Sequence, residues 1–298
     1  MSILYHYCNA VTAFNILKSS SLQMSDISKS NDYKELNLFF PGLFRSLMRA
    51  YIEKPFELTF NGLSNLDAFA DLVDAVYDIW EDKFETGDFL NYAACFSEKE
   101  DSLNQWRCYS DNGRGCCVGF SKEQIEKYCR NSGGVVRLEK IRYISKDELQ
   151  HVINEKARSV LNIISEEPYG DILGRLNSAI EDVFIDSLMY KSDAFEEEDE
   201  WRIFLSKGAY LDRDEYTDGE DKDVSEIYEF LKNRIEIHPT VDDFVSYCSL
   251  SFSEFQKDPV EEIWLGPKNI AKRADMEFML DKFGYSRCSI KFSDISYF

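Results

Sequence analysis

The sequence has few histidines and no spacing typical of a metal site. His6, His151 and His238 are the only three in 298 residues, and they lie far apart along the chain. No His-Glu-x-x-His motif occurs, and no two cysteines are separated by the two residues typical of zinc sites. The sequence therefore predicts neither a structural nor a catalytic zinc ion, and no other metal site.

Long apolar runs and targeting signals are also lacking. No stretch approaches the roughly 18 apolar residues of a membrane-spanning helix, and "MSILYHYCNA" has no basic segment followed by a long apolar one. The eight cysteines form no regular framework, so we expect reduced thiols in a cytoplasmic protein without a membrane contact. Cys116 and Cys117 are predicted to point to opposite faces of a strand, which disfavours a disulfide between them.

Positive charge is scarce, with 34 Lys and Arg against 55 Asp and Glu and a formal net charge of −21. Such a field repels phosphate backbones and argues against a general nucleic-acid coat protein. A nucleic-acid strand at a local basic site and a basic protein partner both stay open. The most acidic stretch, residues 212–223, is predicted to be an exposed loop. No repeat or low-complexity linker divides residues 1–298, so we expect a single domain.

Common nucleotide and hydrolase motifs are missing. The glycine-rich segment "SDNGRGCCVGF" lacks the Lys-Ser/Thr of a nucleotide-triphosphate loop, and its spacing does not fit the dinucleotide fingerprint. No serine lies in a Gly-x-Ser-x-Gly motif. Gly113 and Gly115 are therefore predicted to be turn residues.

Helical and strand-like patterns alternate irregularly along the chain. Val11, Phe14 and Leu17 predict the apolar stripe of a first helix, with Ala13 and Ile16 flanking that stripe. Helical insertions are expected near residues 62–86 and 147–192, the second interrupted at "EEPYGD". Helices bunched at two places predict an α+β fold with mixed or antiparallel central sheets.

Three local patterns combine residue types that carry chemistry. They are His6 between two tyrosines in "LYHYC", Trp106, Arg107 and Tyr109 in "NQWRCYS", and Glu198 and Glu200 at the entrance of a predicted strand in "FEEEDEWRIF". Each also has a plainer interpretation. These are a core histidine bonded to a backbone carbonyl, hydrophobic packing beside a turn, and a solvated acidic loop whose last member pairs with an arginine.

Five ordered segments resemble the bacterial domain-of-unknown-function family 2971, and the resemblance covers most of the chain. The segments are "LYHYC", "NILKSSSLQMSDISKSNDYKEL", "CFSEKEDSLNQWRCYSDNGRGCCVGF", "EEDEWRIF" and "EEIWLGPK". More remotely, a strand-borne histidine, aromatic residues midway and a glutamate on a late strand are similar to the His-Tyr-Glu order of ADP-ribosyltransferases. This similarity implies a split ADP-ribosyltransferase-like core, with NAD+ as the substrate and a protein or nucleic acid as the acceptor.

The resemblance to ADP-ribosyltransferases implies two catalytic residues. Glu200 would stabilise the cationic ribose that forms when the nicotinamide–ribose bond of NAD+ breaks. Glu198 would lie on the same side of an extended chain, where it would raise the pKa of Glu200 or deprotonate the acceptor. A bacterial enzyme of this kind would act as a toxin or phage-defence effector, with a possible antitoxin or regulatory protein as partner.

The same resemblance implies a set of NAD+ contacts. They are His6 and Tyr7 on the first strand, Trp106 or Tyr109 against the nicotinamide ring, Arg107 or Arg114 at the pyrophosphate, and Asn31 with Asp32 on a closing loop. Two other functions stay open at this point. One is NAD+ hydrolysis with water as the acceptor, and the other is a non-catalytic module that binds a nucleotide or a protein.

Overall fold

The computed structural model describes residues 2–27, 38–86, 91–132, 135–167, 169–206, 234–239 and 244–297. The predicted loop residues Asn31 and Asp32 and the acidic stretch 212–223 lie outside the described residues. None of the helices within these ranges combines the length and the apolar character that a bilayer-spanning segment needs.

A large, mostly antiparallel sheet forms the centre of the described structure. The strands are β1 (Ile3–Cys8), β2 (Ser21–Asp26), β3 (Thr59–Phe60), β4 (Leu63–Ser64), β5 (Asn91–Ser97), β6 (Cys116–Ser121), β7 (Val136–Lys140), β8 (Arg142–Ile144), β9 (Tyr190–Ser192), β10 (Glu200–Ser206), β11 (Ile235–Pro239), β12 (Phe244–Ser251), β13 (Val260–Leu265) and β14 (Ser289–Phe292). Eight strands follow the order β11-β12-β2-β5-β1-β6-β13-β14, while β10 pairs with β5 and with β7. Of these pairs, only β13–β14 is parallel.

Helices cover both faces of this sheet, which confirms the predicted α+β class. They are α1 (Ala10–Ser19), α2 (Phe40–Glu53), α3 (Asn65–Thr86), α4 (Leu103–Tyr109), α5 (Lys122–Asn131), α6 (Lys146–Glu166), α7 (Ile172–Ser187) and α8 (Arg273–Phe283). The helices α3, α6 and α7 coincide with the predicted insertions. Together with α2 they form an apolar layer that packs against Ala93 of β5 and Phe204 of β10.

The first helix buries a different stripe from the predicted one. Ala13, Ile16 and Leu17 are buried, whereas Val11 is 68% exposed and Phe14 is 39% exposed. The prediction of a Val11–Phe14–Leu17 stripe is therefore wrong in two of its three residues. This short helix carries two apolar stripes, and the one that contains Ala13 packs against the sheet. The small side chain of Ala13 lets the helix approach the sheet closely.

The sheet splits along one edge of β5. On its other edge β5 pairs with β10 over its whole length. On the split edge, Tyr92 and Ala93 pair with β2, and Ser97 pairs with β1. The three intervening residues, 94–96, have no partner strand on this edge in the described structure. Since β1 and β2 share one edge of β5, they diverge there and leave an opening at Cys95.

The strand register assigns the candidate residues to opposite faces of the sheet. Directly paired residues in antiparallel strands project to the same side. Tyr5, Ser97 and Glu200 form one row across β1, β5 and β10, on the side that we call the front face. His6 pairs with Val118 and belongs to the other side, the back face.

The turn before β6 holds the front-face helix α4 against the end of β1. Gly113 has a positive φ of 86°, and a Cβ atom on Gly115 would lie 2.2 Å from the carbonyl oxygen of Cys8. The Ser110 hydroxyl donates to that same carbonyl at 2.9 Å. The predicted turn is thus confirmed, and Gly115 is required because the backbone of β1 passes too close for any side chain.

The cysteines are free thiols, as the sequence predicts. Cys116 packs in the back-face core and Cys117 in the front-face core, so the adjacent pair points to opposite sides of β6. A disulfide between them is excluded by this geometry.

Candidate functional site

The acidic run forms a short helical turn that ends at β10. Residues Asp193–Glu198 adopt a 3-10 helix, and Asp199 follows in the left-handed region with a φ of 48°. The strand begins at Glu200. The prediction that Glu198 and Glu200 share one side of an extended chain is therefore wrong. Their carboxylates converge because the chain reverses at Asp199.

Four buried charges form a compact network around the two glutamates. The Nζ atom of Lys191 lies 2.7 Å from Oε2 of Glu198 and 3.3 Å from Oε2 of Glu200. The Nε atom of Arg202 lies 2.6 Å from Oε1 of Glu200. All four side chains are buried. We call this set, with two positive and two negative charges, the Lys191 network.

The helical insertion supplies the central cation of this network. Both α6 and α7 lie in sequence between β8 and β9, and β9 carries Lys191 back to the sheet. The two short strands pair in parallel with Tyr143 beside Lys191. The hydroxyl of Tyr143 accepts a hydrogen bond of 2.8 Å from the backbone N–H of Glu200. The two short strands that flank the insertion therefore fix both the cation and the backbone at the start of β10.

Neutral groups form the remaining hydrogen bonds of the network. The Tyr109 hydroxyl donates to Oε1 of Glu198 at 2.6 Å, and the Ser97 hydroxyl donates to the carbonyl of Glu198 at 2.6 Å. Arg202 also donates to the carbonyl oxygen of Leu188 at 3.1 Å. A buried charge pair is tolerated only when its remaining hydrogen-bonding groups are satisfied, and this arrangement meets that condition.

The carboxylate of Glu200 is held in its ionised form. Burial by itself would raise the pKa of Glu200, but the positive charges of Arg202 and Lys191 outweigh it and lower the pKa overall. The raised pKa that was one of the two expected consequences of Glu198 is therefore not found at Glu200. The lysine between the two carboxylates cancels their repulsion.

Cys95 is a solvent-accessible residue of this site that no sequence pattern singles out. It lies at the opening in the sheet, is exposed, and hydrogen-bonds to Glu200 through its thiol. Desolvation by the surrounding protein and then the charge of Glu200 raise the pKa of the Cys95 thiol, so the group stays protonated and donates to Glu200. Its sequence context, "YAACFS", only predicts a buried strand.

His6 lies on the other side of the same residue. Its Nδ1 atom is 2.9 Å from the carbonyl oxygen of Cys95. A carbonyl only accepts, so Nδ1 carries the hydrogen and Nε2 keeps a lone pair. The ring makes an edge contact with Phe96 on the back face, with centroids 5.9 Å apart. His6 and Glu200 thus approach each other through Cys95 and not within one shared pocket.

Burial lowers the pKa of His6 from its ordinary value of 6.5, against a smaller opposing effect of the Cys95 carbonyl. The folded protein therefore binds fewer protons at this site than the unfolded chain, and lowering the pH from about 7 to about 5 should decrease the free energy of unfolding. In His6→Gln this part of the decrease should disappear, as measured by urea unfolding at each pH. His151→Gln, which removes an exposed imidazole, is the matched control. An unchanged pH dependence in His6→Gln would contradict the assignment.

Two of the predicted NAD+ contacts are core residues. Trp106 is 0% exposed and donates its indole N–H to Oδ1 of Asp101 at 2.6 Å. Tyr7 is 6% exposed and donates its hydroxyl to the carbonyl of Lys99 at 2.7 Å. The faces of the Trp106 ring are covered by protein, so the prediction that it stacks on a ligand is wrong. Of the two stacking candidates, only Tyr109 is accessible, with 42% of its surface exposed.

Arg107 lies outside the Lys191 network. Its guanidinium carbon is 6.0 Å from the ring centre of Tyr297 near the end of the chain. Arg107 and Tyr109 are two residues apart, about half a helical turn, so they point to different sides of the helix. Arg107 contacts Tyr297 and Tyr109 contacts Glu198.

An open cleft of about 610 Å³ lies on the front face beside Tyr5. Residues 98–102 line the rest of it, and they contribute Glu98, Glu100 and Asp101 but only one cation, Lys99. The Lys99 ammonium donates to the carbonyl of Glu197 at 2.6 Å, which connects the cleft wall to the acidic turn. Three carboxylates disfavour a pyrophosphate in this cleft. Among the described residues, no group of His, Cys, Asp or Glu side chains is arranged to hold a metal ion.

A known family model matches the central third of the chain. Residues 105–203 match the model of a family described as a protein of unknown function, DUF2971. This match supports the family resemblance for the central part of the chain, which includes Tyr109, Lys191, Glu198, Glu200 and Arg202. The segments "LYHYC", "NILKSSSLQMSDISKSNDYKEL" and "EEIWLGPK" lie outside the matched range. No curated protein and no solved structure matches the chain.

Proposed function

We propose that the protein cleaves NAD+ and transfers the ADP-ribose to a macromolecule. The observation that supports this proposal is the ionised, buried carboxylate of Glu200 beside the opening in the sheet at Cys95. A carboxylate fixed in place and shielded from water is the group that stabilises a cationic ribose most effectively.

The reaction exchanges one bond at the anomeric carbon of the ribose. The carbon–nitrogen bond to nicotinamide breaks, and nicotinamide leaves as a neutral molecule with both bonding electrons. An oxygen or nitrogen atom of the acceptor forms the new bond and gives up its proton. Glu200 would stabilise the positive charge that develops on the ribose, and Glu198, the second carboxylate of the network, would take the acceptor proton.

The surrounding residues would position the substrate. The exposed ring of Tyr109 offers a face to the nicotinamide. The His6 ring lies on the back face of the sheet, outside any pocket shared with Glu200, so we assign it no substrate contact and only a bond to the Cys95 carbonyl. Because the cleft beside Tyr5 is acidic, the pyrophosphate has to lie near basic groups elsewhere, and Arg107 and Arg114 are the exposed arginines of the same front-face segment.

A binding module without chemistry is the second candidate. The observation that favours it is the full pairing of Glu198 and Glu200 with Lys191 and Arg202, since paired carboxylates also serve as a purely structural support. In that case the Lys191 network would only hold the helical insertion on the sheet, and NAD+ would remain intact.

Incubation with adenylate-labelled NAD+ tests the proposal. With a cell lysate as the source of acceptor, we expect label on a macromolecule, resistant to denaturing gel electrophoresis, together with release of nicotinamide. Free ADP-ribose without labelled macromolecule would indicate a hydrolase instead. Unchanged NAD+ and no heat of binding in calorimetry would reject both enzymatic functions.

A further inference from the structure

Basic side chains concentrate at the end of the sheet where β13 and β14 finish, despite the net charge of −21. Residues 266–273, "GPKNIAKR", contain three basic side chains and no acidic one. Because β13 and β14 are parallel, they end on the same side of the sheet. We call the following set the basic edge: Arg107, Arg114, Lys268, Lys272 and Arg273.

Direct contacts hold several members of the basic edge together. The Nζ atom of Lys268 lies 3.8 Å from the ring centre of Tyr297, the same ring that Arg107 contacts. The backbone N–H of Lys268 donates to the carbonyl of Gly113 at 2.8 Å, next to Arg114. The guanidinium carbon of Arg273 lies 5.1 Å from the ring centre of Phe292 at the end of β14.

The side chains of the basic edge lie beyond ion-pair distance of the described carboxylates. Within the described part of the chain, none of the five side chains forms an ion pair with a carboxylate. Other basic residues of this acidic protein do form such pairs. Lys140 pairs with Glu98 and Asp199, and Arg234 pairs with Glu254. Cations without such pairs in an acidic protein form a local site for a polyanion.

Aromatic and apolar groups lie among these cations. Phe292 is 38% exposed, Ile270 is 96% exposed, and Tyr297 is partly exposed. Rings interleaved with Lys and Arg are typical of surfaces that bind single-stranded nucleic acids, where bases stack on rings and phosphates contact the cations. An anionic lipid surface has no bases to stack, so these rings favour the nucleic acid.

We propose that the basic edge binds a single strand of DNA or RNA and presents it as the acceptor of ADP-ribose. The acceptor role rests on the proposed function, whereas the binding does not. Helix α4 connects the two sites, because Arg107 belongs to the basic edge and Tyr109 contacts Glu198. With NAD+ bound, Arg107 and Arg114 would contact its pyrophosphate, and Lys268, Lys272 and Arg273 would hold the nucleic-acid strand. A single-stranded nucleic acid bound at the basic edge would therefore place its bases beside the Lys191 network.

Fluorescence anisotropy without NAD+ tests the binding step. The probe is a labelled single strand of about 20 nucleotides, long enough for one site, as DNA and as RNA. With about five phosphate contacts, raising the salt from about 50 to about 200 mM should weaken the affinity on the order of a hundredfold. K268E/K272E/R273E should weaken it at least about tenfold at the lower salt. K54E/K146E/K257E, which has the same net charge on other exposed lysines, should bind nearly as the wild type does.

Three outcomes would overturn the inference. They are absence of strand binding by the wild type at low salt, equal loss of affinity in both triple variants, and stronger binding to phosphatidylserine vesicles than to the strand. If strand binding is present but the strand is never labelled from NAD+, the basic edge stands as a binding site and its role as acceptor site fails. Label on the strand in the wild type, lost in K268E/K272E/R273E while nicotinamide release continues, would support both steps.

Discussion

Glu200→Gln is expected to lower the rate of NAD+ cleavage by at least about a hundredfold, because it removes a preorganised charge and keeps the shape of the side chain. The measurement is nicotinamide release under saturating NAD+, with wild-type protein assayed in parallel. A variant that retains more than half of the wild-type rate would reject Glu200 as the stabilising carboxylate.

Glu200→Gln should also lower the stability of the fold, so a loss of activity has to be distinguished from a loss of folded protein. Glu200→Gln leaves Arg202 buried without its carboxylate, and breaking a buried ion pair in this way typically costs about 3–5 kcal/mol. The double variant E200Q/R202M removes both charges and should regain most of that stability. If E200Q/R202M folds well and remains inactive, the loss of activity comes from the missing carboxylate. If activity returns with stability, the network is structural and the binding-module function is favoured.

Lys191→Met is expected to cost about as much stability as Glu200→Gln. It leaves the carboxylates of Glu198 and Glu200 buried side by side without the cation between them. We expect the free energy of unfolding to fall by about 3–5 kcal/mol, as measured by urea denaturation. Since single domains are typically stable by only about 5–15 kcal/mol, this is a large fraction of the total.

Lys140→Met provides a matched control for this prediction. Lys140 also contacts two carboxylates, Glu98 at 2.8 Å and Asp199 at 2.9 Å, but its side chain is 44% exposed. Solvent weakens such pairs, so its loss should cost no more than about 1 kcal/mol. Equal effects of Lys191→Met and Lys140→Met would show that burial does not strengthen the network.

Local patterns in the sequence predicted most of the elements that surround the site. The strand of "LYHYC", the turn at Gly113 and the strand that starts at Glu200 are all present. These features depend on alternation and glycine conformations, which a short window of residues contains. The acidic run was harder to predict, because Glu198 contacts Tyr109, which lies 89 residues away in the sequence and outside any short window.

Long-range packing decided which residues meet. The sequence by itself determined the α+β class, the reduced thiols and the position of a glutamate at the start of β10. Only the tertiary structure placed His6 on the back face and Glu200 on the front face, since one residue of register reverses the side to which a strand side chain points. It also buried Trp106 and brought Lys191 between the two glutamates, because a side chain becomes a core residue or a counter-ion only when distant segments pack around it.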